Sequence, residues 1–109
     1  MLLPEPQATK ARLEQHVKLF DSRDKNLQLG VVAFRKKILS EPRRKDQVAK
    51  FIKAYNIAVD SINSRGVQHY ASVITKYTGA DAKTISNLPK LKYEHAMEPR
   101  RRDLAVAQK

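Results

Sequence analysis

The sequence predicts an α/β fold that is mostly helical, with two or three short strands, in a single domain or fragment over residues 1–109. Two patterns carry this prediction. The apolar segment 29–34 is too short for an ordinary helix and is typical of a largely buried strand. Downstream, apolar residues recur at helical spacing: Val48, Phe51, Ile52, Tyr55, Val59 and Ile62. A strand followed by an amphipathic helix is typical of one face of an α/β domain, and the apolar stripe of that helix needs a packing partner.

Residues 1–26 are predicted to form a crossing segment with a short helix and a short strand. Because proline is tolerated in the first turn of a helix, a helix can begin just after Pro6 and extend towards residue 16. Residues 17–20 are a four-residue strand candidate. The polar segment 21–26 is then a surface crossing or a turn, before the main strand at 27–34.

After the main strand, the sequence predicts four helices, at about residues 45–64, 67–78, 81–88 and 99–108. Gly66 and Gly79 fall where the first two helices would end, because glycine readily adopts the left-handed conformation that closes a helix. Asp81 can cap the third helix, and Pro89 ends it.

The composition argues against several kinds of functional site. The chain has no cysteine, which excludes disulfides, thiolate metal sites and a cysteine nucleophile. His16, His69 and His95 lie far apart and lack the i, i+4 spacing of a helical metal site. The common phosphate-loop and nucleophile-elbow motifs are absent. We therefore predict a protein that is not an enzyme and that needs no metal or cofactor.

The sequence also lacks targeting features. No apolar run approaches the ~20 residues of a membrane-spanning helix. Residues 1–9 have neither the basic start nor the apolar centre of a secretory signal. We therefore expect no transmembrane segment, and the compartment is left open.

Positive charge is concentrated in the middle of the chain. The formal net charge is +11, and residues 35–53 alone carry eight basic and two acidic residues. The densest clusters are Arg35, Lys36, Lys37, Arg43, Arg44 and Lys45, and then Arg100, Arg101 and Arg102. Such clusters favour nucleic acid, an anionic membrane or an acidic partner. No aromatic residues interleave with them as a stacking surface requires, so solvated charge at helix ends is the simpler interpretation.

Five segments of the chain follow one another in a recognisable order: LLPEPQATKA at 2–11, LGVVAFRKKIL at 29–39, VAKFIKAYNIAVDSIN at 48–63, KYTGADAKTISNLPKLKY at 76–93 and MEPRRRDLAVAQK at 97–109. This order resembles the C-terminal part of substrate-binding proteins of ABC transporters, in the branch that serves nitrate, sulfonates and thiamine-precursor-like molecules. The family's closing helix normally continues into a tryptophan-containing segment, which this sequence lacks. The resemblance covers nearly the whole chain, although each motif is degenerate.

The resemblance implies a portion of a type II periplasmic-binding-protein fold, in which two α/β lobes close over a small solute and deliver it to a membrane permease. The chain would then be a non-catalytic solute-binding fragment for a small organic or anionic solute, with an ABC permease as partner. The family is periplasmic or lipid-anchored outside the cell. The residues nearest the cleft would be Glu5, Pro6 and Gln7, with Gln28 as a further candidate.

The family's first lobe and most of its cleft have no counterpart in this sequence. We therefore expect uncovered apolar surface, a homodimer through exposed apolar faces and no solute binding by the chain alone. Glu5 also has a purely structural interpretation, since an acidic residue before a proline-started helix favours the positive end of that helix. Both interpretations of Glu5 remain open at this point.

Two other functions fit the sequence. The first is a small basic helical nucleic-acid-binding module that uses the two basic clusters, with nucleic acid the less favoured partner. The second is a helical protein-interaction module that dimerises through the apolar stripe from Val48 to Ile62.

Overall fold

The computed structural model describes residues 2–26 and 30–108, and its regular structure is helical. The α-helices are α1 (Gln7–Leu13), α2 (Lys36–Ser40), α3 (Pro42–Arg65), α4 (Ala71–Thr78), α5 (Ala82–Ser86) and α6 (Arg101–Ala107). Two 3-10 helices, Ser22–Lys25 and Val67–Tyr70, precede α2 and α4. Within the described ranges there is no β-strand.

The predicted α/β fold is therefore wrong, and so is the portion of a type II periplasmic-binding-protein fold that the resemblance implies. The described parts of both strand candidates, residues 17–20 and 30–34, have no regular secondary structure. A strand exists only where a neighbouring strand accepts its backbone hydrogen bonds, and no such neighbour occurs among the described residues. Residues 27–29 begin the second candidate and include the predicted ligand residue Gln28; they lie outside the described residues.

The side chains of these two segments are uncovered. Val17, Leu19, Val31 and Val32 are 81, 95, 61 and 66% exposed. Burying a side chain of this size stabilises a protein by about 1.5–3 kcal/mol, so each of these residues retains an unsatisfied hydrophobic contribution. The apolar pattern identifies residues whose burial would stabilise the protein. It does not indicate which other residues would cover them.

The chain divides into two compact units. The first comprises Met1–Leu19 and Ile57–Glu94, and the second comprises Phe20–Asn56 and His95–Lys109. The long helix α3 begins in the second unit and ends in the first.

The core of the first unit forms around α5, which contacts α1 and α4. Ile85 and Thr84 of α5 are buried, as are Thr9 of α1 and Val59 of α3. At the edge of this core, the Arg12 guanidinium donates a hydrogen bond to the carbonyl oxygen of Asn87, at 3.3 Å. Apart from Pro6, Val59 and Ile85 are the only buried residues with a hydrophobic side chain in the described part of the chain, so the core is small.

Local sequence signals set the helix ends in this unit. Gly66 and Gly79 follow α3 and α4 with φ angles of 83° and 70°, a conformation that costs an L side chain energy and costs glycine little. Asp81 caps α5, since its Oδ1 accepts the Thr84 N–H at 2.7 Å. That backbone hydrogen bond, assisted by a smaller contribution from Lys10 and Lys83, lowers the pKa of Asp81 below its ordinary value of 3.8.

The second unit is organised by an aromatic pair and an ion-pair cluster. The rings of Phe34 and Phe51 meet edge to face, with centroids 6.0 Å apart and planes at 75°. Near the chain end, Arg100 Nε donates to Oδ2 of the buried Asp103 at 2.7 Å. Asn56 of α3 accepts the Ala96 N–H at 2.8 Å.

Candidate functional site

Glu5, Pro6 and Gln7 lie at the start of α1 in the first unit. The Glu5–Pro6 peptide bond is cis, Pro6 is buried, and Glu5 and Gln7 are exposed. Glu5 Oε2 accepts the Thr9 N–H at 3.1 Å, so this carboxylate satisfies a backbone donor in the first turn of the helix. This is the contact that the structural interpretation of Glu5 requires. Solute contact by Glu5, Pro6, Gln7 and Gln28 stays a prediction.

A cavity of about 220 Å³ lies elsewhere in the first unit, at the C-terminal end of α3. Asn63 is its best-fixed polar side chain: Nδ2 donates to the Tyr93 carbonyl oxygen at 2.8 Å, and Oδ1 accepts the Tyr93 N–H at 2.9 Å. Arg65 also lines the cavity, and its Nη1 lies 3.4 Å from His69 Nε2. Ligand pockets usually enclose about 300–1,000 Å³, so this cavity is small for a solute.

The first basic cluster is gathered at the junction of α2 and α3 in the second unit. We call it the basic rim: Arg35, Lys36, Lys37, Arg43, Arg44 and Lys45. All six side chains are exposed. Arg44 Nε pairs with Glu41 Oε2 at 2.8 Å, and no carboxylate of the described residues pairs with the other five.

Half of the basic rim, Arg43, Arg44 and Lys45, lies in the first turn of α3, which carries no acidic residue. The N-terminal end of a helix is electrically positive, and cations there are unfavourable rather than stabilising. The three basic residues of the first turn of α3 therefore add to this positive potential. The exposed Arg44–Glu41 pair offsets little of it, because surface ion pairs are weak in water.

An apolar groove of about 220 Å³ opens beside the basic rim. Its apolar lining consists of Phe34, Ile38, Val48 and Phe51, and Arg44 and Gln47 complete it. The two aromatic rings remain partly accessible, at 39% exposure for Phe34 and 48% for Phe51. The i, i+4, i+7 spacing of Arg44, Val48 and Phe51 indicates a shared face of α3, but nothing in the sequence indicates that Phe34 and Ile38 pack beside it.

In the second basic run, Arg100 to Arg102, two of the three side chains make contacts within the second unit. Arg100 Nη2 and Arg102 Nη2 both donate to the carbonyl oxygen of Asn26, at 2.7 and 3.1 Å. Arg100 also binds Asp103, whose second oxygen lies 3.5 Å from Arg102 Nε. Arg101 lacks these contacts, and Arg102 remains exposed, so Arg100 is the member of this run whose charge is least accessible.

The described residues contain no group of three or more histidine, cysteine, aspartate or glutamate side chains placed to hold a metal ion. Within the same described ranges, no helix combines the length and apolar character that crossing a bilayer requires. Comparison with protein-family models, curated proteins and solved structures finds no match to this chain.

Proposed function

We propose that this chain is a non-catalytic fragment of a solute-binding protein of an ABC-type import system, and that it works together with a complementary polypeptide. The order of the segments at 2–11, 29–39, 48–63, 76–93 and 97–109 supports the family. We infer the need for a complementary polypeptide from one observation, the exposure of the apolar segments 17–20 and 31–34.

The energetics of these two segments favour association. Leu19, Val31 and Val32 are more than half exposed, and together they leave about 5 kcal/mol of hydrophobic stabilisation unrealised. A partner that covers either segment gains part of this energy on binding. Association with a second polypeptide is therefore the expected state of this chain in its working form.

Solute recognition is proposed to involve Glu5, Pro6 and Gln7, with Gln28 as a further contact. These three residues are consecutive at the start of α1, and the Glu5 and Gln7 side chains are exposed there. One oxygen of Glu5 is held by the Thr9 N–H, which fixes the carboxylate and leaves its other oxygen to accept a donor from a solute. The rest of the cleft is supplied by the complementary polypeptide, so the chain alone does not retain solute.

The first test is the DNA that flanks the coding sequence. The proposal expects neighbouring genes for a permease and an ATPase of an ABC importer, together with a reading frame for the complementary polypeptide. Flanking DNA without any transport gene would count decisively against the proposed function.

The second test measures solute binding directly. Nitrate, an alkylsulfonate and a thiamine-type pyrimidine are added to the chain alone and to its mixture with the complementary polypeptide, and the melting temperature is recorded. We expect one solute to raise the melting temperature of the mixture only. Glu5→Gln should reduce that increase, whereas Glu14→Gln, the same change at the exposed end of α1, should not. A mixture that responds to none of the solutes contradicts the proposal.

A further inference from the structure

We propose that the apolar groove bordered by the basic rim docks an acidic polypeptide segment that carries one large apolar anchor residue. The groove lies within the second unit, between the start of α3, the α2 helix and Phe34. This proposal does not depend on the proposed function, because it concerns a different surface and can be tested without any solute.

The groove is shallow and open to solvent, and it has room for a single side chain. Its volume of about 220 Å³ exceeds the ~30 Å³ share of one water molecule several-fold, and its lining is largely apolar. The edge-to-face contact of Phe34 and Phe51 holds both rings in place while each remains partly accessible. A large apolar residue entering the groove therefore finds a preformed aromatic surface.

The positive charge near the groove favours a negatively charged partner. Arg44 lines the groove itself, and the other members of the basic rim lie on α2, at its N-cap or in the first turn of α3. Glu41 is the single carboxylate between residues 35 and 45. Complementary charge speeds encounter and rejects partners of like charge. An acidic segment is thus favoured, and a second copy of this chain is disfavoured because it brings the same positive rim.

An apolar anchor distinguishes a polypeptide from other anions. Nucleic acid phosphates engage basic side chains and need no apolar cavity. An anionic lipid surface attracts the same charges, but it binds an apolar face that runs along one amphipathic helix, whereas this lining comes from Phe34 and α2 as well as from α3. The combination of an aromatic groove with positive charge beside it is matched by an acidic chain with an apolar side chain.

The experiment is fluorescence anisotropy on the full chain with a labelled peptide of glutamates flanking one central leucine. A second peptide has serine in place of the leucine, and we expect about tenfold weaker binding for it, because the buried leucine contributes on that scale. Equal affinity for the two peptides would overturn the proposal. So would binding of a single-stranded oligonucleotide, or of phosphatidylglycerol vesicles, without binding of the leucine peptide.

Variants locate the site on the protein. Arg44→Glu reverses a charge inside the groove and should weaken the leucine peptide about tenfold. Lys53→Glu is the matched control: it makes the same charge change on α3, about two and a half turns from Arg44 and on the opposite side of the helix. Equal losses in the two variants would mean that only net charge matters, and the groove would be excluded as the site.

Two further variants test the apolar groove itself. Phe51→Ser should abolish the preference for leucine over serine while weak binding of both peptides persists. Since this change removes a ring from a packed pair, Gln47→Glu provides a test on an exposed residue that also lines the groove. It should weaken the leucine peptide more than twofold, and unchanged affinity would contradict the proposed position of the peptide.

Discussion

Asn63 and Tyr93 are joined by two hydrogen bonds, in which the carboxamide of Asn63 both donates to the Tyr93 carbonyl oxygen and accepts the Tyr93 N–H, at 2.8 and 2.9 Å. A side-chain amide has the same donor and acceptor groups as a peptide bond. Asn63 therefore satisfies the backbone of Tyr93 in the way that a neighbouring strand would, although residues 87–100 contain no regular secondary structure.

Replacing Asn63 tests this link. Asn63→Ala removes both hydrogen bonds and should lower the free energy of unfolding by about 1–2 kcal/mol, measured by urea denaturation followed by circular dichroism. Asn63→Asp keeps the acceptor for the Tyr93 N–H but sets a carboxylate against the Tyr93 carbonyl oxygen, so it should not restore the loss. Ser64→Ala is the control, since the Ser64 hydroxyl bonds only within α3. Equal stability of Asn63→Ala and the wild type would contradict the prediction.

Ile85 should be the most sensitive apolar position in the first unit, because its side chain is 2% exposed in a small core. Ile85→Val should cost about 0.5–1.5 kcal/mol and Ile85→Ala about 2–5 kcal/mol. Ile57→Ala provides the comparison, since Ile57 is 57% exposed and should change stability far less. Urea denaturation of the three variants ranks them, and a similar cost at both positions would show that α5 is not the centre of this core.

The buried carboxylate of Asp103 should stabilise the second unit. Its Oδ2 accepts from Arg100, and its Oδ1 makes no hydrogen bond within the described residues although Arg102 lies 3.5 Å away. Asp103→Asn weakens the pairing of a buried charge, so we expect a loss of about 3 kcal/mol. Asp46→Asn is matched to it, because Asp46 pairs with Lys50 at the surface and should contribute well under 1 kcal/mol. Comparable unfolding midpoints for the two variants would contradict this difference.

The cap at Asp81 predicts a specific pH dependence. Hydrogen bonding to Thr84 lowers the pKa of Asp81 in the folded chain below 3.8, so the cap stabilises the fold fully above that value. The stabilisation is lost as the pH falls through the lower, folded-state pKa. Asp81→Asn keeps a capping oxygen that does not ionise. From about pH 6 to about pH 3, we expect the melting temperature of the wild type to fall further than that of Asp81→Asn. Parallel curves would rule out a contribution from this cap.

The sequence predicted the local features of the fold well. The ends of α3 and α4 at Gly66 and Gly79 and the cap at Asp81 depend on residues within one turn of the chain, so their sequence signals are sufficient. The strand at 29–34 depended on neighbours elsewhere, and an apolar run alone does not specify them. That is why the predicted sheet was wrong, whereas α3 and α4 end, and α5 begins, at the residues that carry these local signals.

The candidate site shows the same division. The basic residues of the rim were identified from their number and spacing. Helical spacing places Arg44, Val48 and Phe51 on one face of α3, but the packing of Phe34 and Ile38 beside that face is a contact between separate segments, which the spacing does not encode. Likewise, nothing near Arg100 in the sequence indicated that it binds the carbonyl oxygen of Asn26. Pairwise contacts over such separations are set by the fold and not by local pattern.

The uncovered apolar segments also affect how the protein behaves in solution. The exposed side chains of Val31 and Val32 favour association between molecules. The net charge of +11 opposes it, because like-charged molecules repel one another. Added salt weakens only the second force, because the screening length shrinks from about 30 Å at 0.01 M to about 3 Å at 1 M. The protein's colloidal stability therefore depends on dilute buffer, and concentrated salt should drive it to aggregate while its helices are still folded.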